Sequence, residues 1–139
     1  MQDIGDYLDS MANKVDFNPS FVVWSCPHCS DDVKASNCVS DGKYCAHTSY
    51  YNSQAYNGRS VIQENLREHC IHKLAKENKE AELFFEYIAF VHEKCKVRID
   101  EKCSKEGVKS IGYDFSKVNA CVADTFGSSG TDINYNSDN

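Results

Sequence analysis

Eight cysteines are the feature that most limits how this 139-residue sequence can fold. Reducing cytosol rarely tolerates so many cysteines without a metal or a redox task. Their number therefore indicates an oxidising compartment: a secretory or vacuolar lumen, or the outside of the cell. Eight cysteines allow roughly a hundred pairings, so the count alone does not assign the disulfides. The length predicts about one domain, held together in part by these cross-links.

Two of the cysteines form the sharpest motif, Cys26-Pro27-His28-Cys29, directly after the apolar run Phe21–Trp24. A buried strand that ends in two cysteines two residues apart is how a thioredoxin-type fold presents its redox pair. In the active interpretation, Cys26 attacks as a thiolate that a following helix N-terminus and His28 stabilise. In the alternative interpretation, Cys26 and Cys29 are structural, paired with each other or with other cysteines.

The sequence after the motif favours the structural interpretation. A redox thioredoxin normally continues from its second cysteine into a long helix, whereas residues 31–57 are irregular. They contain the turn Ser40–Lys43, in which Gly42 is able to take a positive φ. The chain has two prolines, both at or before the motif, so the cis-proline loop that thioredoxin folds place beside the pair is missing. We predict a disulfide-stapled loop over residues 30–59.

Residues 60–125 carry the periodicity of packed helices. Apolar residues recur every three or four positions, which predicts buried helical faces. We predict a helix that starts at Ser60, with Gln63 completing a capping box, and further helices over about 81–96, 100–110 and 115–124, the last capped by Asp114. The expected buried positions are Ile62, Leu66, Cys70, Leu74, Leu83, Phe84, Tyr87, Ile88, Val91, Cys95, Val118, Cys121 and Val122.

These patterns predict a mainly α fold: a helical, disulfide-stapled insertion of an incomplete thioredoxin-like α/β fold with one or two strands. Residues 1–29 would supply an N-terminal helix over 3–14 and the strand that ends in the C-P-H-C motif. Residues 30–59 would be the stapled loop, residues 60–125 the helical insertion, and residues 126–139 a flexible Gly/Ser/Asn-rich tail.

Charge and ligand patterns exclude several classes of function. The net charge of −6 and the pI of about 5.3 argue against nucleic-acid binding and against an anionic membrane surface. A zinc site from Cys26, Cys29, His69 and His72 has suitable ligand types. However, both histidines lie on a helix that also carries a cysteine, and the other cysteines are left unexplained. We expect no metal and no cofactor.

The N-terminal sequence shows no signal peptide, which is unexpected for a protein of an oxidising compartment. Residues 1–6 lack the basic and apolar regions of a signal peptide, and the sequence has no run of 18 apolar residues. A disulfide-rich chain without a route to the lumen is most simply explained as a piece of a longer protein. Any membrane attachment would then come through a transmembrane helix outside this chain.

Three stretches resemble the central luminal region of plant-type vacuolar sorting receptors. They are Cys38–Ala46, Ala55–Cys70 and Lys109–Cys121, and the likeness extends through Cys95 and Cys103. The resemblance covers roughly residues 15–125. It implies a thioredoxin-like central region with a helical insertion, in a type I membrane protein that carries soluble cargo to vacuoles. The family pattern does not keep the C-P-H-C motif, so a redox role remains an open alternative.

With this architecture we expect four disulfides: Cys38–Cys45 across the turn, Cys95–Cys103 between consecutive helices, Cys70–Cys121 closing the bundle, and Cys26–Cys29 from the remaining pair. The leading hypothesis is a luminal module of a cargo-sorting receptor in the Golgi or vacuolar lumen, bound to protein cargo or neighbouring subunits. The alternatives are a thiol–disulfide oxidoreductase that uses Cys26 and Cys29, and a structural component of an assembly at the extracellular surface.

Overall fold

The computed structural model describes residues 14–47, 57–96 and 98–125, which form five helices and a two-stranded antiparallel sheet. In chain order the elements are α1 (Asp31–Asn37), β1 (Cys38–Val39), β2 (Tyr44–Cys45), α2 (Gly58–Asn78), α3 (Ala81–Lys94), α4 (Glu101–Ser110) and α5 (Phe115–Thr125). The predicted mainly α, disulfide-stapled fold with one or two strands is confirmed. The helix predicted over residues 3–14, apart from Lys14, and the tail predicted over 126–139 lie outside the described residues.

Helices α2 to α5 pack around one apolar core. Helices α2, α3 and α5 each carry a stripe of apolar residues on one face, and α4 buries the small face formed by Ser104, Gly107 and Val108. Helix α2 contacts α3 and α5, and α4 packs against α3. The buried members of this core are Cys70, Ile71, Ala75, Phe84, Tyr87, Val91, Cys95, Val108, Ile111, Val118 and Val122. Most of the buried positions predicted for α3 and α5 are therefore confirmed. Among the helices that the structure describes, none is both long and apolar enough to cross a membrane.

A second, smaller apolar cluster joins the sheet to the start of α2. Its buried members are Val39, Ala46 and Ile62. The side chain of Asn37 accepts a hydrogen bond from the Gly58 amide at 3.2 Å, and Arg59 donates to the Cys38 carbonyl at 2.9 Å. Helix α2 thus begins against the sheet and ends in the main core, so it belongs to both clusters.

A buried polar network crosses the main core. Glu64 on α2 accepts hydrogen bonds from Tyr87 on α3 at 2.6 Å and from Ser104 on α4 at 2.5 Å. Arg67, 1% exposed, pairs with the same carboxylate at 3.1 Å. Burial and the Glu64 charge raise the pKa of Tyr87, which keeps its hydroxyl a donor. The Glu64 carboxylate therefore joins three helices, and the hydrogen bonds from Tyr87 and Ser104 offset the cost of burying it.

The prediction of a strand over Phe21–Trp24 is wrong. Within the described part of the chain, Trp24 alone of these four residues pairs, through an isolated antiparallel bridge to Cys45 with backbone N–O distances of 3.0 and 2.9 Å. The side chain of Val22 is 95% exposed and that of Val23 is 43% exposed. A strand needs a continuous partner, and in the described residues the neighbouring strand β2 is two residues long.

The irregular loop predicted directly after the motif is wrong in part, because residues 31–37 form helix α1. The start of α2 also differs from the prediction. Asn57, not Ser60, caps this helix: its side chain accepts a hydrogen bond from the Ser60 amide at 3.0 Å. Gln63 is buried instead of completing a capping box. Asp114 does cap α5, accepting from the Ser116 amide at 2.9 Å.

Candidate functional site

The C-P-H-C motif is a compact loop at the surface. Cys26 and Cys29 form a disulfide with a Cα–Cα distance of 5.4 Å. The Cys29 amide donates to the Cys26 carbonyl at 3.2 Å, which closes the loop into a turn. Both cysteines are half-buried, whereas Pro27 and His28 are exposed. The motif therefore presents the two intervening side chains to solvent.

The C-P-H-C loop packs against the β1–β2 turn at Gly42. The Cys26 amide donates to the Gly42 carbonyl at 2.7 Å, and the turn closes with a 3.1 Å bond from the Lys43 amide to the Ser40 carbonyl. Gly42 has the positive φ predicted from the sequence, 85°. A Cβ at this position would overlap the Cys26 carbonyl oxygen. Glycine therefore lets two turns approach more closely than any other residue would.

The surroundings of Cys26 do not favour a thiolate. Helix α1 begins at Asp31, with Ser30 as its N-cap, so Cys26 lies four residues before the cap. The positive end of a helix dipole acts only within about one turn. The first turn of α1 also carries Asp31 and Asp32, whose negative charges oppose a second negative charge nearby. The geometry therefore lacks the helix-terminus stabilisation expected for an attacking Cys26.

The other six cysteines form disulfides that are buried on at least one side. Cys38–Cys45 joins β1 to β2, and these two residues are direct partners in the sheet. Cys95–Cys103 joins the end of α3 to α4, and Cys70–Cys121 joins α2 to α5. Each of these pairs includes a cysteine no more than 1% exposed. These cross-links tie elements together, whereas Cys26–Cys29 closes only its own turn.

The structure does not assemble the four ligands considered for zinc. Cys26 and Cys29 are consumed in their disulfide. His69 is exposed on α2, and His72 contacts the Phe17 carbonyl through Nε2 at 2.8 Å. Within the described residues, no group of three or more His, Cys, Asp or Glu side chains could hold a metal ion.

Comparison with known proteins identifies the family. The model of the vacuolar sorting receptor thioredoxin-like domain matches residues 1–137. The chain belongs to this family. It is 31% identical over 114 residues to vacuolar-sorting receptor 6 of Arabidopsis thaliana and, over the same length, to vacuolar-sorting receptor 1 of Pisum sativum. Each match covers 78% of this chain, and the chain spans 18% of the length of each receptor.

The part of this vacuolar sorting receptor domain that the structure describes contains little sheet. A thioredoxin-like domain is built on a sheet, yet the described residues contain two strands of two residues each. The described part of this vacuolar sorting receptor domain is therefore dominated by helices, and its cysteines fasten those helices rather than a sheet.

Two features of this vacuolar sorting receptor domain were missed from the sequence. The Glu64–Arg67 pair lies within a predicted helix, but charged residues three apart normally read as a solvated face. Phe17, which lies between the helix predicted over 3–14 and the apolar run Phe21–Trp24, packs on Phe84 and Phe85. Apolar periodicity predicts neither feature. The sequence signal for the Glu64–Arg67 pair was its place between positions predicted to be buried.

Glu68 is a carboxyl group with a shifted pKa in this domain. It lies one turn after Glu64 on α2. Burial, and then the negative charge of Glu64, raise the pKa of Glu68 to about 8. At neutral pH the folded domain therefore holds a proton on this carboxyl that the unfolded chain releases.

Because the pKa of Glu68 is raised in the folded state, we expect the free energy of unfolding of the domain to fall as pH rises. Between about pH 4.5, the ordinary value, and about pH 8, the folded state binds a proton that the unfolded state does not. The free energy of unfolding should therefore decrease across this window, by about 2 kcal/mol after allowance for partial exposure of Glu68. Glu68→Gln should remove this part of the pH dependence in urea titrations at pH 5 and pH 8. Glu77→Gln, at an exposed position of the same helix, should keep it.

The contact at Gly42 predicts a large effect of a small side chain. Gly42→Ala should lower the free energy of unfolding by about 2–3 kcal/mol, because the methyl group must displace the Cys26 carbonyl and take a strained φ. Gly112→Ala is the matched control: Gly112 has a similar φ of 79°, but a Cβ there meets no atom within 4 Å. The control isolates the cost of φ, about 1 kcal/mol. Equal losses in the two variants would show that the motif does not rest on Gly42.

Proposed function

We propose that this chain is a luminal module of a cargo-sorting receptor that delivers soluble proteins within the Golgi and vacuolar system. The observation that carries the proposal is the match of the vacuolar sorting receptor thioredoxin-like domain to residues 1–137. The four disulfides support an oxidising lumen as the compartment, since such cross-links persist there. Protein cargo, or a neighbouring protein subunit, is the partner.

The role of the module in this proposal is to hold a fixed shape. Its helices are fastened to one another by two disulfides, Cys70–Cys121 and Cys95–Cys103, and the Glu64 carboxylate joins three of them through hydrogen bonds. The division predicted from the sequence places the C-P-H-C motif in residues 1–29, a stapled loop over 30–59 and a helical insertion over 60–125. In this proposal the helical insertion supplies the rigid body.

A domain exchange tests the proposal. Residues 14–125 replace the matching region of vacuolar-sorting receptor 1 of Pisum sativum in plant cells that lack their own receptors. The chimera should restore retention of a soluble vacuolar protein to at least half of the level reached with the intact receptor. A chimera with Cys70→Ala and Cys121→Ala, which loosens the module, serves as the control. Full secretion of the vacuolar protein by a chimera that is folded and correctly localised would refute the proposal.

A second candidate function is thiol–disulfide exchange at Cys26 and Cys29. It is favoured by the surface position of this disulfide and by exposed His28 beside it. It is opposed by the acidic start of α1. Iodoacetamide trapping at pH 6 after mild reduction separates the two: an oxidoreductase requires Cys26 to react well above the rate of an ordinary thiol. We expect the ordinary rate.

A further inference from the structure

A groove of about 320 Å³ lies where α2 ends and α3 begins. The segment Val15–Phe17 forms one wall, and the two helices form the other. Its lining includes Phe17, Phe85, Ala81, His72, Lys76 and Lys79. The volume is at the lower end of the range for ligand sites in proteins, roughly 300–1,000 Å³, and is large enough for two or three side chains of a peptide.

The apolar floor of the groove is fixed by aromatic packing. The ring of Phe17 lies 5.2 Å from that of Phe85 and 5.9 Å from that of Phe84, centroid to centroid. Phe84 is buried in the main core, so its contact with Phe17 fixes the segment Val15–Phe17 to that core. His72 holds the same segment through its 2.8 Å contact with the Phe17 carbonyl. The groove is therefore formed before any ligand arrives, which lowers the entropic cost of binding.

Cationic groups outnumber carboxylates in the groove. Lys76 pairs with Asp16 at 2.5 Å, and this contact lowers the pKa of Asp16. The second ammonium group, on Lys79, has no hydrogen bond or ion pair with any other described residue. Lys79 ends α2 with a left-handed backbone, φ 61°, at the edge of the groove. An apolar floor beside an uncompensated ammonium fits a ligand that is apolar in one part and anionic in another.

We propose that this groove binds an acidic peptide segment in which an aspartate or glutamate stands next to an aliphatic side chain. The aliphatic side chain would pack on Phe17 and Phe85, and the carboxylate would reach Lys79. Charge complementarity selects this occupant over a basic or a purely apolar peptide, because the groove offers a cation in excess of Asp16. Peptide binding in this groove can be measured on the isolated chain, so it can be present or absent whether or not the chain sorts cargo in a cell.

Fluorescence anisotropy with two short probes tests the proposal. One probe is a labelled, end-blocked peptide with the sequence Gly-Ser-Leu-Asp-Leu-Ser-Gly, and the other has Asn in place of Asp. At low salt the Asp probe should bind about fivefold more tightly, as expected for one exposed ion pair. The difference should vanish at about 0.5 M NaCl, where charges are screened over a few ångströms. Equal affinity of the two probes at low salt would overturn the proposal.

Matched lysine variants locate the site. Lys79→Gln should abolish the preference for the Asp probe without changing the thermal stability of the chain, because Lys79 is exposed. Lys105→Gln, at an exposed position of α4, should leave the preference intact. Chemical-shift changes of amides at Ala81 and His72 on addition of the Asp probe would support the groove. A preference that survives Lys79→Gln, or shifts confined to α4 and α5, would refute it.

Discussion

Replacing Cys70 and Cys121 together by alanine is expected to lower the free energy of unfolding by about 4 kcal/mol. The two residues are separated by 51 positions, and their disulfide joins the middle of α2 to α5. Cross-links that close longer loops remove more conformational entropy from the unfolded chain. Urea unfolding followed by circular dichroism at pH 6 measures the loss. It is a large fraction of the stability of a small domain.

The variant with Cys26→Ala and Cys29→Ala is the control for this prediction. Its disulfide closes a separation of three residues, so the same argument gives a loss of about 2 kcal/mol or less. Equal losses for the two variants would contradict the dependence on loop length. Peptide mapping without reduction provides the covalent check: Cys70 or Cys121 found as a free thiol in the folded protein would show that this disulfide does not form.

Glu64→Ala is expected to destabilise the domain by about 3–5 kcal/mol. The substitution removes the acceptor for Tyr87 and Ser104 and leaves the guanidinium of Arg67 buried without its carboxylate. Breaking one side of a buried ion pair is costly because the remaining charge stays out of water. Denaturant unfolding at neutral pH measures this loss, and a lowered slope against denaturant would indicate a loosened core.

Two further variants test whether the unpaired charge of Arg67 causes this loss. Glu64→Leu combined with Arg67→Met replaces the ion pair by apolar side chains of similar size and should recover most of the lost stability. Glu86→Ala removes a carboxylate from an exposed position of α3 and should change stability by less than about 0.5 kcal/mol. A double variant as unstable as Glu64→Ala would show that hydrogen bonds to Tyr87 and Ser104, rather than the unpaired charge, carry the effect.

The helical part of the fold was predictable from the sequence because its apolar residues recur with helical spacing. The stripes in α3 and α5 point into the main core as predicted. The turn at Gly42 was predictable for a similar reason, since a positive φ has a residue preference. The family was also recognisable from its cysteine spacing. The helical spacing and the turn are local signals, because the residues that carry them lie close together in the chain.

The parts that were not predictable depend on what lies beside a residue in space. Phe21–Trp24 has the composition of a strand, but in the described residues only Trp24 finds a partner. Gln63 was assigned to a cap and is buried instead, because Asn57 takes the capping role three residues before Ser60. The redox or structural role of Cys26 and Cys29 also remains a prediction, since it depends on reactivity that sequence spacing does not specify.

The smaller cluster and the main core are joined by α2 but by no cross-link. Cys26–Cys29 and Cys38–Cys45 both lie before residue 47, and Cys70–Cys121 and Cys95–Cys103 both lie after residue 57. If each half collapses first, four cysteines allow about three pairings in each, or about nine in all, instead of roughly a hundred. Each half would then find its disulfides among about three pairings, and a wrong disulfide in one half would not involve the cysteines of the other.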